Sequence, residues 1–567
     1  MSSLDDYFHE ELLRLRYEGA ELAQQRPDLA PFLGLPAQDP DIERLLEGVA
    51  FLCAQIRGRL DDEFPELSQA LLELTAPQLL APLPAMGLLH CQPPRGAIMT
   101  PQPLSAGSEF LTVPHPDGVQ TTMRTLRDGW IFPAELISSN FTSTSITIML
   151  ELFQSASLSL LPWSKLTFWL SGDPAHGAEL FALLHNHLAA LTLQTDSGEV
   201  VWPTTALALA DLSTLTPLCG CGFDGGSLEL LDDWLHFPAS LLFFHLNPPV
   251  DSRSIQLQRL QIRLIFDTQI PETLKLYKKP FQINLFPCAN LHRAHAEPIV
   301  VDGSKSRYPL LLASLTHIPE WIVHLRQVVS EVNGHHQVLS PLGTAATTGH
   351  TGNYLLRQEQ HCGQQIRYSL QLSSEPEHVA GHTPDILSVE MDVCSTTWAE
   401  RVTADSEFIP GQGSLSCLRA RLATPLTRTL PPSLAPHSYW QWLGQMSSHL
   451  HQPLNHEGLC QLLSSRHRLA RVDEAAQRKL TQQLTALLAV EQHREYHWHT
   501  GQPYPRIHTR VTLDRAAFGG AAECLLFGYV LSAVLTRRSP VNTLHRLTLT
   551  DHHTGGELSW PATLSTC

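Results

Sequence analysis

The stretch whose reading decides the fold is Leu45–Glu66, LLEGVAFLCAQIRGRLDDEFPE. Leu45, Val49, Leu52, Ile56 and Leu60 return at intervals of three or four residues, with Leu46 beside Leu45, which places them on one helix face. With Ile42 they define a helix that starts at Asp39-Pro40, Asp as its cap and Pro at the first helical position, where a missing N–H costs nothing. Asp61-Asp62-Glu63-Phe64-Pro65 then reads as a turn, and its acids complement the dipole of a third helix carrying Leu67, Leu71 and Leu74. Pro77, Pro82 and Pro84 end that helix. Paired carboxylates also suit acid/base work or a hard cation, but acids placed just before Pro65 read first as a helix boundary.

Upstream, residues 4 to about 27 read as a helix through Phe8, Leu12, Leu15, Gly19 and Leu22, with Glu10 and Arg14 as an i,i+4 pair of favoured polarity. Three helices in about 80 residues cannot bury all these faces alone with much margin. The face Leu45, Val49, Leu52, Ile56 and Leu60 is therefore the candidate site, expected in or beside an intermolecular contact.

Downstream the period changes to two. Ile146, Ile148, Leu150 and Leu152 alternate with Thr147, Met149 and Glu151, and Leu260, Ile262, Leu264 and Phe266 alternate around Gln261 and Arg263, as strands do. A helix opening at Asp173-Pro174, marked by Leu180, Leu184 and Leu188, interrupts them. Leu387, Val389, Met391 and Val393 mark a further strand, and Ala345–Gly349 a surface loop. Pro425, Pro431, Pro432 and Pro436 mark a boundary. Beyond it Trp440, Leu443, Met446 and Leu450 predict one helix, and Leu480, Leu484, Leu487 and Leu488 another. Ile507, Val511 and Leu513 predict a strand, Cys524 to Arg538 a helix closed by two cations at its negative end, and Leu544 to Leu549 a last strand. The fold class expected is α+β and multidomain. It comprises a helical N-terminal region (1–85), a β-rich domain with an inserted helix (86–300), a second β-rich domain (301–432), both barrel- or sandwich-like, and a mixed α/β C-terminal domain (433–567).

A net charge of −17, with 38 Lys and Arg that form no long run, excludes nucleic acid as a main partner. The opening MSSLDDYFHEELL carries acids where a secretory signal carries a basic segment and an apolar core, and no later stretch stays apolar long enough to span a bilayer. A cytoplasmic protein with no direct membrane insertion is expected. The 11 cysteines are odd in number and irregularly spaced, as reduced thiols in a cytosolic chain would be.

Candidate chemistry is thin. Gly220, Gly222 and Gly225 in CGCGFDG match G-x-G-x-x-G, but Pro217 precedes them and Gly226-Ser227 follow, so no strand feeds the motif and no helix leaves it. Cys219 and Cys221 stand too close for a redox pair and lack a second pair for zinc. Among 30 histidines the densest cluster is His493, His497 and His499. His493 and His497 would share a helical face, yet no H-E-x-x-H and no nearby third ligand completes a site. His185 and His187 belong to a partly exposed helix surface. No P-loop and no G-x-S-x-G is present. The alternatives to a structural protein are a metal-dependent hydrolase using the C-terminal histidines and a carbohydrate-binding β module using Trp163 and Trp169, which a core strand explains more simply. No catalytic residue, metal or cofactor is assigned.

Four segments in register resemble the TssF (VasA/ImpG) family of type VI secretion baseplate subunits. They are YFHEELLRLRYEGAELAQQRPDLAPFLGL with DPDIERLLEGVAFLCAQIRGRLDDEFPELSQALLELTAPQLLAPLPAM (7–35 and 39–86), DDWLHFPASLLFFHL (232–246), FQINLFPCANLHRAHAEPIVVDGSKSRYPL (281–310), and VTLDRAAFGGAAECLLFGYVLSAVLTRRSPVNTLHRLTL (511–549). HLHQPLN (449–455) departs from the family's HLSLN-like stretch, and residues 335–380 match no family segment. The resemblance implies a structural, non-enzymatic wedge subunit. Two TssF copies would associate with one TssG, joined by TssK and TssE, with six wedges around the VgrG spike at the end of the Hcp tube. It also implies recruitment to a secretion complex docked at the inner membrane.

Overall fold

The computed structural model describes residues 4–25, 40–114, 120–157, 161–170, 172–195, 198–212, 215–219, 228–247, 256–277, 279–301, 305–313, 320–332, 335–342, 352–360, 366–373, 385–395, 399, 402–404, 406–434, 436–447, 454–499 and 502–564. The loop expected at Ala345–Gly349 lies outside them, as do Asp39, Cys221 and the glycines of CGCGFDG. The fold is α+β and multidomain, and the chain divides into two compact units, residues 1–77 with 435–444, and residues 78–434 with 445–567.

The first unit is helical. Helix Leu4–Gln25 packs on helix Pro40–Thr75, and Arg16 pairs with Glu43 between them. Ala50 and Ala54 are fully buried, and Leu12 nearly so; small residues on the long helix let the two backbones come close. Ser68 and Leu72 are buried too, as are Tyr439 and Trp442 from helix Pro436–Ser447. Tyr439 Oη donates to Gln69 Oε1 at 3.4 Å, so a segment remote in sequence completes this unit.

The expected turn at Asp61–Pro65 is corrected: one helix of 36 residues runs through it. Pro65 forfeits one backbone bond, to the carbonyl four residues earlier, but strong helix formers on both sides carry the helix across. The acidic triplet is therefore interior to a helix and not at a helix start. The side chains of residues 57–65, Leu60 and the triplet included, lie outside the described set.

The second unit is built on β-sheets. A closed six-stranded barrel is formed by strands Met86–Gln92, Leu285–Ala289, Thr122–Thr125, Glu109–Thr112, Glu407–Pro410 and Arg419–Leu422, in that order. Its closure pairs Cys91 with Ala420, and Leu89, Phe110, Met123, Phe286 and Phe408 fill it. A five-stranded sheet runs through Gly198–Trp202, Leu188–Thr195, Gln256–Phe266, Ser145–Ser157 and Ala134–Phe141, with Ile262 opposite both Ile148 and Leu193. A four-stranded sheet, Leu207–Leu209, Phe243–Leu246, Thr167–Leu170 and Phe281–Ile283, stacks Phe168 on Phe244 at 5.0 Å. Helix Pro174–Asn186 is the expected insertion, but Leu188 already belongs to the next strand, and a second helix, Glu229–His236, follows.

An eight-stranded sheet has Asp385–Ser395 and Glu320–Val332 as its longest pair, near one edge, and includes His335–Pro341, Asn353–Gln360 and Ile366–Ser373. The barrel thus takes strands from both sides of residue 300, while most of the intervening chain forms this sheet.

The C-terminal part is a four-stranded sheet ordered Leu487–His499, Gln502–Leu513, Leu544–Asp551 and Glu557–Leu564. Its second and third strands are parallel, and helix Ala521–Arg538 is their crossover. Helix Glu474–Ala486 ends before Leu487 and Leu488, which open a strand instead of closing a helix. Arg537 donates to the carbonyls of Leu212 and Leu215 at 2.8 Å each.

Candidate partner-binding surface

The long helix carries its apolar stripe on the side away from its packed side. Each residue turns the helix by about 100°, so Ala50, Ala54, Ser68 and Leu72 share one face. Leu45, Val49, Leu52 and Ile56 project from the opposite face and are 69%, 46%, 59% and 59% exposed. Leu67, Leu71 and Leu74 extend the same exposed stripe toward the helix end. Burying one such side chain is worth about 1.5–3 kcal/mol, and this row leaves several of them in water. The four described candidates are thus on one solvent-facing row. The sequence alone assigns Leu67, Leu71 and Leu74 to a separate helix, and it is the unbroken helix Pro40–Thr75 that puts them on this row.

Polar clusters elsewhere serve the fold. Asp233 is fully buried, accepts the N–H groups of Leu218 and Cys219 at 2.8 Å, and faces Arg127 Nη2 at 3.2 Å. Burial pushes its carboxyl up, against Arg127, which pulls it down. The turn holding Cys219 is thereby tied to helix Glu229–His236. Neighbouring Asp232 pairs with Arg466 Nη2 at 2.9 Å and is pushed up to about 6, by burial first.

A cavity of about 750 Å³ is lined by Arg124, His324, Arg326 and Asp392 among others. Asp392 is committed to Arg124 at 2.6 Å, Arg326 at 3.2 Å and His324 at 3.4 Å, and a carboxylate so engaged is a poor general base.

His493 and His497 lie on strand Leu487–His499, not on a helix, and both are exposed. Among the described residues no group of three His, Cys, Asp or Glu is placed to hold a metal ion. Trp163 sits in a short 3-10 turn against Trp202, ring centroids 5.2 Å apart, and Trp169 is buried in a strand, so the two tryptophans form no sugar-binding platform. His176 stacks on Tyr277 at 3.6 Å, while the Asp173 carboxylate accepts from Tyr277 Oη at 3.0 Å. Among the described residues no helix is long and apolar enough to cross a membrane.

A family model for "Type VI secretion system, TssF" matches residues 1–566. The chain belongs to the TssF family. Component TssF1 of Pseudomonas aeruginosa is 28% identical over 386 residues, 59% of this chain and 59% of its own length. The match thus spans under two thirds of that relative. Among solved structures, a chain of the type VI secretion TssK–TssF–TssG baseplate subcomplex, seen by cryo-electron microscopy, superposes with a TM-score of 0.75 at 19% identity, covering 93% of this chain and 99% of its own. A chain of the type VI secretion baseplate complex superposes with a TM-score of 0.62 at 19% identity, covering 99% of both chains. At that identity the likeness shows a shared fold. The match includes residues 335–380, where the sequence shows no recognisable family segment.

Proposed function

We propose that this TssF-family chain is a structural subunit of the type VI secretion baseplate wedge and not an enzyme. The observation that carries this reading is the exposed apolar stripe of Leu45, Val49, Leu52, Ile56, Leu67, Leu71 and Leu74 on a helix of 36 residues, a surface suited to assembly, in a chain that the family model matches over residues 1–566. Its partners would be TssG and TssK, the proteins named with TssF in the solved subcomplex. A second copy of this chain, TssE, the VgrG spike and the Hcp tube region complete the wedge and its surroundings as the family resemblance implies. The chain would work in the cytoplasm, recruited to the complex docked at the inner membrane. The division into residues 1–85, 86–300, 301–432 and 433–567 is kept as a working description of its domains.

The stripe Leu45, Val49, Leu52, Ile56 and Leu60 would lie in an intermolecular helical contact of the wedge. Co-expression with the cognate TssG followed by native mass measurement tests both statements. A stable complex is expected, and Val49→Asp should remove it while leaving the thermal transition of the isolated chain within about 1 °C, since an exposed position tolerates a charge. Separate, well-folded chains from the unmodified pair would overturn the wedge reading, and an intact complex with Val49→Asp would overturn the role of the stripe.

A further inference from the structure

The cavity of about 750 Å³ opens where the barrel meets the eight-stranded sheet, and its size falls within the range of about 300–1,000 Å³ usual for small-molecule sites. One wall is an irregular stretch of strand Glu320–Val332. Its pairing with Asp385–Ser395 slips between Ile322 and His324 and again between Leu325 and Gln327, and such bulges redirect the side chains around them. His324 lies opposite Asp392, and Arg326 reaches the same carboxylate at 3.2 Å. Arg293, on strand His292–His295, is opposite Asp392 on its other side, and Arg124 approaches from barrel strand Thr122–Thr125.

The three arginines bring more donors to this wall than it has acceptors. A guanidinium only donates. Arg124 gives Nη1 to Asp392 at 2.6 Å, but its Nε and Nη2 meet no acceptor among the described residues, although the side chain is only 5% exposed. Folded proteins pair nearly all such buried groups. Glu390 stands 3.9 Å from Arg293 and 3.7 Å from Arg326, and Glu109 stands 3.6 Å from Arg124, so these carboxylates offset charge from beyond hydrogen-bond distance. Of the two carboxylates on the lining, Asp392 is already engaged by Arg124 and Arg326, and Glu229 comes from helix Glu229–His236. The arginines are also graded in depth: Arg124 is buried, while Arg293 and Arg326 are 41% and 35% exposed and stand toward solvent.

We propose that this cleft binds a small organic polyanion, a molecule with two or more carboxylate or phosphate groups, which enters between Arg293 and Arg326 and reaches toward Arg124. The glutamates behind the arginines offset their charge, so selection rests less on net attraction than on the paired N–H geometry of the guanidinium groups, which matches carboxylate and phosphate oxygens. No Phe, Tyr or Trp is among the described residues that line the cleft, so it offers a nucleobase nothing to stack on. A ligand held by Arg124 of the barrel and by Arg293 and Arg326 of the eight-stranded sheet braces the two β-systems against each other and stabilises the fold by mass action. The site is separate from the helical stripe and does not depend on its partners.

Calorimetric titration of the full chain with citrate and with pyrophosphate, each against sodium chloride at the same ionic strength, tests the proposal. Saturable binding with a Kd below about 1 mM is expected for at least one probe, and the probe that binds shows whether carboxylate or phosphate is the group recognised. The same probe should raise the thermal midpoint of the chain. Arg293→Gln changes a partly exposed side chain whose ion-pair partner Glu390 is 3.9 Å away, so it should weaken binding about tenfold or more while leaving the midpoint of the unliganded chain in place. Ala106→Trp narrows the cleft from an exposed lining position without altering any charge, and should weaken binding as strongly. Failure of both probes to bind saturably at about 10 mM would overturn the proposal. So would binding that either variant leaves unchanged, which would mark an adventitious ion elsewhere on the surface.

Discussion

Arg124 Nη1 donates to Asp392 Oδ1 at 2.6 Å, and both side chains are at least nineteen-twentieths buried. Arg124 stands on a barrel strand and Asp392 on strand Asp385–Ser395 of the eight-stranded sheet, so the pair joins two β-systems within one unit. Arg326 and His324 approach the other carboxylate oxygen at 3.2 and 3.4 Å. The lesions should therefore be unequal. Asp392→Leu strips the shared acceptor from its cationic neighbours and is expected to cost about 3–5 kcal/mol in urea denaturation. Arg124→Met leaves the carboxylate with Arg326 and should cost less. The double variant should recover part of the loss, because no buried Arg124 charge is left behind.

Acid should destabilise the second unit through its buried histidines. Burial, the largest cause, lowers His545 to about 4, His467 to about 4 and His236 to about 3. A histidine held neutral in the fold takes up its proton first in the unfolded chain. The stability present above about pH 6.5 is therefore lost as pH falls toward the folded value. For His545 the loss at pH 5 is on the order of 2 kcal/mol. Urea midpoints between pH 7 and 5 should fall, and His545→Gln, which keeps a partner for Thr509 Oγ1, now 3.0 Å from the ring, should flatten that fall.

Local periodicity made much of this fold legible. The alternations at 146–152 and 260–266 name strands because each side chain reports its own face, and those strands pair Ile148 with Ile262. Barrel closure was not legible, since Cys91 and Ala420 are neighbours only across the whole intervening chain. The Asp61–Pro65 motif misled because it is a good local cap, while a helix already propagating on both sides outweighs one lost bond. His493 and His497 misled similarly, because a spacing of four puts two residues on one face of a strand as well as of a helix. For the candidate surface the residue types were legible, but the stripe's exposure was not, because only packing shows that the alanine face is the one turned inward.

Asn284 has φ of 59° between two adjacent strands, one in the four-stranded sheet and one in the barrel. Its Oδ1 accepts the Phe132 N–H at 2.8 Å and its Nδ2 donates to the Phe132 carbonyl at 3.0 Å. Asparagine tolerates this left-handed backbone better than most residues. Asn284→Ala removes both bonds and adds strain, for an expected loss of about 2–4 kcal/mol. Asn284→Gly removes the bonds alone and should lose less. Thermal denaturation of the two variants separates the contributions, and equal losses would show that the backbone conformation carries no share.

Gly528 lies where the crossover helix meets the C-terminal sheet. A Cβ there would overlap the Trp560 ring and fall 2.7 Å from Leu549 Cδ1, and Trp560 is itself only 5% exposed. The ring cannot swing outward without opening the core, so Gly528→Ala is expected to cost about 1–3 kcal/mol and Gly528→Leu more. Trp560→Leu alone should also destabilise, by leaving a void. Combined with Gly528→Ala it should cost less than the sum of the two, because the smaller side chain vacates the space that the new methyl needs. A double-mutant cycle on urea midpoints that came out additive would mean the helix shifts away instead of pressing on Trp560.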